Sequence, residues 1–443
     1  MRTSIPFVLL MVAGVTGASS AFAQTPPAPP PPPPPAAAEP APPPPPPAPP
    51  PAAAAPAAAP AAPAAPAAPA APPGNWWDKF SGDAFVDAYG SINWNFPKPQ
   101  AGGTALHSYD TAQGFALSWI GLNGSYAADP IGGTISLRFG PSAVAYGLPG
   151  TLGAQAPGAV IQSDNNIGMQ NVRQAYATWK AADKLTLDFG KFDQPYGSEV
   201  PDAQLNMEYS RSLLFGLNQP VFFTGLRVDY AASDMFDAKV IIANGWNNTV
   251  SQNRSKTFGA QVMVKPADPV VVYLGYAGGP QEPDVVIPLA DVPDANSHWR
   301  HLVDLVVDIN PTKDWRFLIN GDYDTEDAIG SGAPGGSNHA AVWYGANLAI
   351  RYQVADPFQV TLRGEFFHDE HGDIVAPGTD ATSSAVNVED ATLTLGYTLA
   401  SHLYFMLDNR LDIANSSIFQ TGIHPDNSKT QFTTTLGIVA ATK

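Results

Sequence analysis

The 443-residue sequence contains no cysteine. Disulfides, thiolate nucleophiles and cysteine-held metals are excluded together. Charge is scarce as well. Asp, Glu, Lys and Arg make up 14% of the residues, where an ordinary globular domain carries about 25%. Basic residues are the rarer sign, 22 Lys and Arg against 39 Asp and Glu. A nucleic-acid partner needs a basic footprint, so none is expected. Hydrophobic residues make up 44% of the chain, yet no unbroken apolar run reaches the roughly 20 residues of a transmembrane helix. No Walker, dinucleotide or nucleophile-elbow motif stands in a suitable context. No cofactor and no catalytic activity are expected.

What is present begins with an export pattern. Arg2 supplies a positive start, Ile5 to Val15 an apolar core, and Ala21-Phe22-Ala23 a small-x-small cleavage site. Residues 1–23 therefore read as a signal peptide with Gln24 as the mature start. Its removal leaves 21 basic against 39 acidic residues, a charge of −18. From Gln24 to Pro73 nearly every residue is proline or alanine. Such a segment cannot build a core and is expected to be a disordered tether, polyproline-like in its first half. At about 3.1 Å per residue it would reach roughly 150 Å at most.

Residues 74–443 repeat one unit: strand, tight turn, strand, long loop. The turns share their chemistry, as in Ala127-Ala128-Asp129-Pro130, Ala181-Ala182-Asp183-Lys184 and Ala355-Asp356-Pro357. Asp bonds its own backbone and Pro presets φ, so both favour tight reversals. Between the turns, apolar and polar residues alternate with a period of two. Val86, Ala88 and Ile92 would share one face, and Asp87, Ser91 and Asn93 the other. Leu362 and Phe366 likewise oppose Arg363 and Glu365. A helix would repeat every three to four residues instead.

Strands are expected to start near residues 84, 114, 133, 171, 184, 222, 237, 257, 270, 299, 313, 340, 357, 388, 402 and 430, about sixteen in all. Seven short turns alternate with eight longer loops, and aromatic residues gather near the strand ends. The fold class is therefore all-β, a transmembrane antiparallel barrel with its apolar face toward lipid and its polar face toward water. An eight-stranded barrel is filled by its own side chains, whereas sixteen strands enclose an aqueous lumen.

Ordered motifs strengthen this reading. They are Phe85-Val86-Asp87-Ala88-Tyr89, Arg173-Gln174-Ala175-Tyr176, Gly190-Lys191-Phe192 with Pro195-Tyr196-Gly197, Tyr209-Ser210-Arg211-Ser212, and Thr224-Gly225-Leu226-Arg227-Val228. In these the sequence resembles the OmpL-like β-barrel porins of the porin-2 type, over most of residues 84–443. The resemblance implies a bacterial outer-membrane channel for small hydrophilic solutes and ions, with no catalytic residues. Many outer-membrane barrels close on an aromatic residue read during assembly, whereas this sequence ends Thr442-Lys443. Expected partners are outer-membrane lipid and the solutes themselves. A homo-oligomer, and a cell-wall contact through a periplasmic tether, stay open. The alternative is a structural or adhesive barrel linked to the wall by that tether.

Strand parity names the candidate lining. Charges at mid-membrane on the lipid face cost roughly 2–4 kcal/mol, so they are expected to point inward. By analogy with other porins, the third long loop, 192–221, would fold inward and narrow the lumen with Glu199, Asp202, Glu208 and Arg211. Arg300, Arg316, Arg351 and Arg363 would face it from the opposite wall, with Arg227, Asp229 and Glu365 also lining the channel. Two metal patterns are weak. Adjacent residues in His368-Asp369-Glu370-His371 would point to opposite faces. The run Asp322, Asp324, Glu326, Asp327 lacks the glycine and spacing of a calcium loop. The first reads as a solvated charged loop, and no metal site is expected.

Overall fold

The computed structural model describes residues 75–98, 104–147, 168–286, 290–291, 295–327, 339–375, 384–422 and 427–442. The expected signal peptide and tether, residues 1–23 and 24–73, lie outside them. Among the described residues no helix is long and apolar enough to cross a membrane.

The first half of the barrel is β1 (Phe80–Asn93), β2 (Gly114–Tyr126), β3 (Ile131–Phe139), β4 (Val172–Ala182), β5 (Leu185–Asp193), β6 (Phe222–Ser233), β7 (Phe236–Ala243), β8 (Thr257–Ala267) and β9 (Val270–Pro280). Two-residue strands β10 (Val285–Val286) and β11 (Ala290–Asp291) pair only with each other, in a long loop. The barrel resumes with β12 (Trp299–Ile309), β13 (Trp315–Glu326), β14 (Ala341–Ala355), β15 (Phe358–Asp369), β16 (Val386–Leu399), β17 (Leu403–Ala414) and β18 (Thr430–Ala441). Each barrel strand pairs antiparallel with its neighbours, and β1 closes on β18 with Phe85 opposite Ala441. Sixteen strands thus form a closed sheet with no open edge, which satisfies every ladder group without water. Eleven residues at about 3.3 Å each, tilted by about 45°, span roughly 25 Å, the height of a lipid-facing band.

Observed strand starts fall within four residues of those read from the sequence. The largest shift is β1, which begins at Phe80 because Phe80 to Asp83 pair with Tyr126 to Asn123 of β2. The weakly alternating segments near 171 and 237 are strands β4 and β7, each paired on both sides.

Alternation in sequence becomes alternation across the wall. Ile92 is 46% exposed, while Ser91 and Asn93 beside it are 2% and 0%. Outward-facing Trp179, Tyr230, Trp315, Tyr352 and Tyr397 sit near the short-turn rim, and Trp94, Phe139, Tyr276 and Tyr323 near the long-loop rim. Such belts suit the two lipid–water interfaces, where an aromatic ring is half solvated. One break in parity carries structural meaning. The pairing of β1 with β2 shifts between Asp87 and Ala88, where Trp119 and Leu117 are their partners. The extra residue, Ser118, turns inward together with Trp119, so two consecutive side chains are buried. That is what a β-bulge does to a strand.

Candidate functional site: a loop folded into the lumen

The loop between β5 and β6 enters the barrel and is fastened around most of its wall. On the β8–β9 side, Gln261 Nε2 donates to the Pro195 carbonyl, and the Tyr196 hydroxyl donates to the Tyr276 carbonyl at 2.8 Å. Gly197 then donates its N–H to Asp304 Oδ1 on β12 at 3.1 Å, and Ser198 donates to Asn320 Oδ1 on β13 at 3.2 Å. Gly197 has φ +75°, and a Cβ there would lie 2.0 Å from Gln219 Oε1. Only glycine fits that crossing.

Asp202 bridges two buried wall arginines. It accepts from Arg138 Nη2 of β3 at 2.8 Å and from Arg173 Nη1 of β4. Burial works against its ionised form, but Arg173 and Arg138 together hold its carboxyl below the ordinary value. Tyr209 donates to Asp87 of β1 at 2.8 Å. Ser210 gives both its N–H and its hydroxyl to Asp408 of β17, at 2.7 and 2.8 Å. Glu208 lies 2.5 Å from Arg363 of β15.

A short helix, α1 (Pro141–Tyr146), follows β3, and a second, α2 (Leu213–Leu217), ends the inserted loop. Ser212 caps α2, accepting the Phe215 N–H at 3.1 Å. Glu365 of β15 accepts the free N–H groups of Leu213 and Leu214 at 2.8 and 2.9 Å. A carboxylate is favoured there because the first helical N–H groups have no partner within the helix. Leu213, Leu214 and Leu217 pack on Trp343, Phe367, Val386 and Val388 of the wall. The loop leaves along β13, where Asn218 donates to Asp324 and Gln219 to Asp322, both at 2.7 Å.

The wall makes room for these side chains with glycine. A Cβ at Gly437 of β18 would lie 1.9 Å from the Tyr209 ring, and one at Gly275 of β9 would lie 2.5 Å from Tyr196. The first long loop also turns inward. His107 and Asp110 are buried and paired at 2.7 Å, and Gln431 Nε2 of β18 donates to the Ala105 carbonyl at 3.0 Å.

The residues singled out from the sequence fall into three groups. Glu199, Glu208, Arg316 and Arg363 line one pocket between the loop and β13–β15, together with Asn206 and Asn347. Arg351 stands opposite Arg316 in the β13–β14 register, and among the described residues no carboxylate pairs with it. Asp202, Arg211 and Glu365 hold the loop instead. Arg211 donates to the Val200 and Pro201 carbonyls at 3.0 and 2.6 Å, so its guanidinium is used within the loop. The rest are paired along the wall. Arg300 meets Glu326 at 2.6 Å, Arg227 meets Asp188 at 2.7 Å, and Asp229 meets Lys239 at 3.2 Å. Arg316 also pairs with Asp308, at 2.9 Å.

Sequence reasoning passed over Arg173 and Asp390. Asp390 lies between Arg363 and Arg410, at 3.2 and 2.8 Å. It shares its inward face with Val386 and Val388, which hides the polar parity of β16. Arg173 sits in the weakly alternating β4, where the motif Arg173-Gln174-Ala175-Tyr176 was the available signal.

Residues 79–441 match the family described as "Putative beta-barrel porin-2, OmpL-like". The chain belongs to that family. It is an outer-membrane β-barrel porin, and the family is one of channels rather than enzymes. No curated protein matches the sequence. Solved porins share the fold at low identity. A loop L8 deletion mutant of OmpT from Vibrio cholerae is 12% identical, with a TM-score of 0.51 over 82% of this chain and 98% of its own. The outer-membrane channel DcaP of Acinetobacter baumannii gives 12% identity and a TM-score of 0.51 over 82% and 96%. An anion-selective porin from Comamonas acidovorans gives 10% and 0.50 over 82% and 99%.

Proposed function

We propose that this porin lets small hydrophilic solutes and ions diffuse passively through the barrel, past a constriction formed by residues 194–221. The observation that carries the reading is a polypeptide loop fastened inside a sixteen-stranded lumen, beside a cavity with charges of both signs. A transverse field across such a gap orients dipolar solutes. Glu199 supplies its negative side, and Arg316 and Arg351 its positive side. Arg363 contacts Glu208 at 2.5 Å and stands 3.6 Å from Glu199, so it fixes the rim on the Glu199 side of the gap. The long-loop end faces outward and the short turns face the periplasm, as in other outer-membrane barrels. Homo-oligomers suit this fold, since one of the related solved structures is described as a trimer form.

Planar-bilayer recordings in a salt gradient test the assignment. Glu199→Gln shifts the reversal potential toward anions, and Arg316→Gln with Arg351→Gln shifts it toward cations. Unchanged selectivity and conductance in both variants would remove these residues from the constriction.

A further inference from the structure

We propose that His339, His371 and Asp373 form a site for a divalent transition-metal ion of the zinc class, at the long-loop end of the barrel. Each offers one ligand atom, and these atoms lie within 4.8 Å of one another. His339 Nε2 already stands 3.1 Å from Asp373 Oδ2, and the two imidazole rings are 3.8 Å apart between centroids. Zinc bonds of about 2.0–2.2 Å set neighbouring ligand atoms roughly 3.3–3.6 Å apart in a tetrahedron. The ligand atoms need approach one another by at most about 1.5 Å to reach that spacing.

Strand register explains the meeting. Trp343 of β14 pairs with Asp369 of β15, and the Glu370 N–H donates to the Val342 carbonyl just beyond. Carrying that pairing past the strand ends brings His339 opposite Asp373, with His371 between them along the same edge. Asp369 then holds the loop in place. Its buried carboxylate accepts the N–H groups of Asp373, Ile374 and Val375 at 3.1, 2.8 and 2.9 Å. Ligands fixed in this way bind with little ordering cost. His371 supplies a second sign. Its Nδ1 is enclosed and has no hydrogen-bond partner among the described residues, a state that native proteins avoid unless something else satisfies the atom.

The chemistry of the donors selects the ion. Two imidazoles and one carboxylate suit zinc, copper or nickel, whereas calcium and magnesium take oxygen ligands. Three protein ligands leave a position for water. The set differs from the local run His368-Asp369-Glu370-His371. His368 pairs with Asn387 at 2.6 Å and stacks near Tyr344, and Asp369 is used by the backbone. The ion joins the loop before β14 to the loop after β15.

The test uses the full chain without a histidine tag, stripped of metal in detergent and titrated with Zn²⁺ by calorimetry. One ion binds per chain. His339→Ala and His371→Ala each weaken binding at least tenfold. His402→Ala, in the short turn before β17 at the opposite end of the barrel, leaves it unchanged. Titration with Co²⁺ gives a visible absorption band that both histidine variants lose. Heat-modifiable gel mobility verifies that every variant remains a folded barrel, since the three ligands lie outside the strands. Absence of saturable binding would overturn the proposal, as would binding that survives His339→Ala combined with His371→Ala.

Discussion

Replacing Asp202 by Asn tests the seating of the inserted loop most directly. The change keeps the side chain's shape and removes its charge. In the native protein the carboxylate meets Arg138 and Arg173, whose side chains are 1% and 6% exposed. Arg173 keeps a second partner in Asp193, with which it also pairs. Arg138 keeps only neutral ones, Asn123 Oδ1 at 3.0 Å and the Leu137 carbonyl at 2.8 Å. Leaving a buried charge without its counter-ion costs about 3–5 kcal/mol, and the amide oxygen that Asn retains points to the lower end. With a urea m-value near 3 kcal/mol/M, 3 kcal/mol lowers the unfolding midpoint by about 1 M. The Asp229–Lys239 pair is a control on the same wall, with side chains 26% and 22% exposed. Asp229→Asn should cost about 0.2–1 kcal/mol, a shift of at most about 0.3 M. Equilibrium urea unfolding in detergent reads both, and bilayer recordings should show a noisier, wider channel for Asp202→Asn alone. Adding Arg138→Gln should return most of the loss, because the stranded charge is gone. A midpoint for Asp202→Asn no lower than that of Asp229→Asn, with unchanged conductance, would refute the argument.

Three further outcomes follow from other parts of the molecule. Gly437→Leu drives a side chain into the Tyr209 ring, where a Cβ alone would stand at 1.9 Å. Its conductance should rise as the loop leaves its seat, and a native conductance would show that the ring relocates at no cost. The contribution of Asp202 is present above the ordinary carboxylate value of about 3.9 and fades as pH falls through its lowered one. Single-channel conductance corrected for bulk conductivity should rise as pH falls below about 4, and Asp202→Asn should remove that part of the pH dependence. Finally, Asp183→Cys and Asp356→Cys in the short turns should react with an impermeant thiol reagent only from the periplasmic side. Arg254→Cys, in a loop where the native side chain is 86% exposed, should react on intact cells; the reverse pattern would invert the topology.

Much of this protein is decided one strand at a time, and so was legible in the sequence. A β-strand bordered by lipid and water must alternate, and Ile92 between Ser91 and Asn93 states its own orientation without reference to any other residue. Turn chemistry such as Ala355-Asp356-Pro357 marks where each strand reverses. Strand number, inward parity and the alternation of short and long connections follow from those local rules. The bulge at Ser118 does not, because it depends on how β2 meets β1.

Pairings within the lumen belong to the tertiary structure. Parity places Arg227, Asp229 and Asp188 on the inner face, but register decides that Arg227 meets Asp188 and that Asp229 meets Lys239. The inserted loop shows the same division. Its length and charges are visible in the sequence, yet Asp202 became an anchor and Glu199 a cavity wall only because closure of the barrel brought β3, β4 and β13–β15 around it. His339 and Asp373, 34 residues apart, meet for the same reason. Local periodicity determines which way a side chain points, whereas contact between distant segments depends on register and closure, which no single strand encodes.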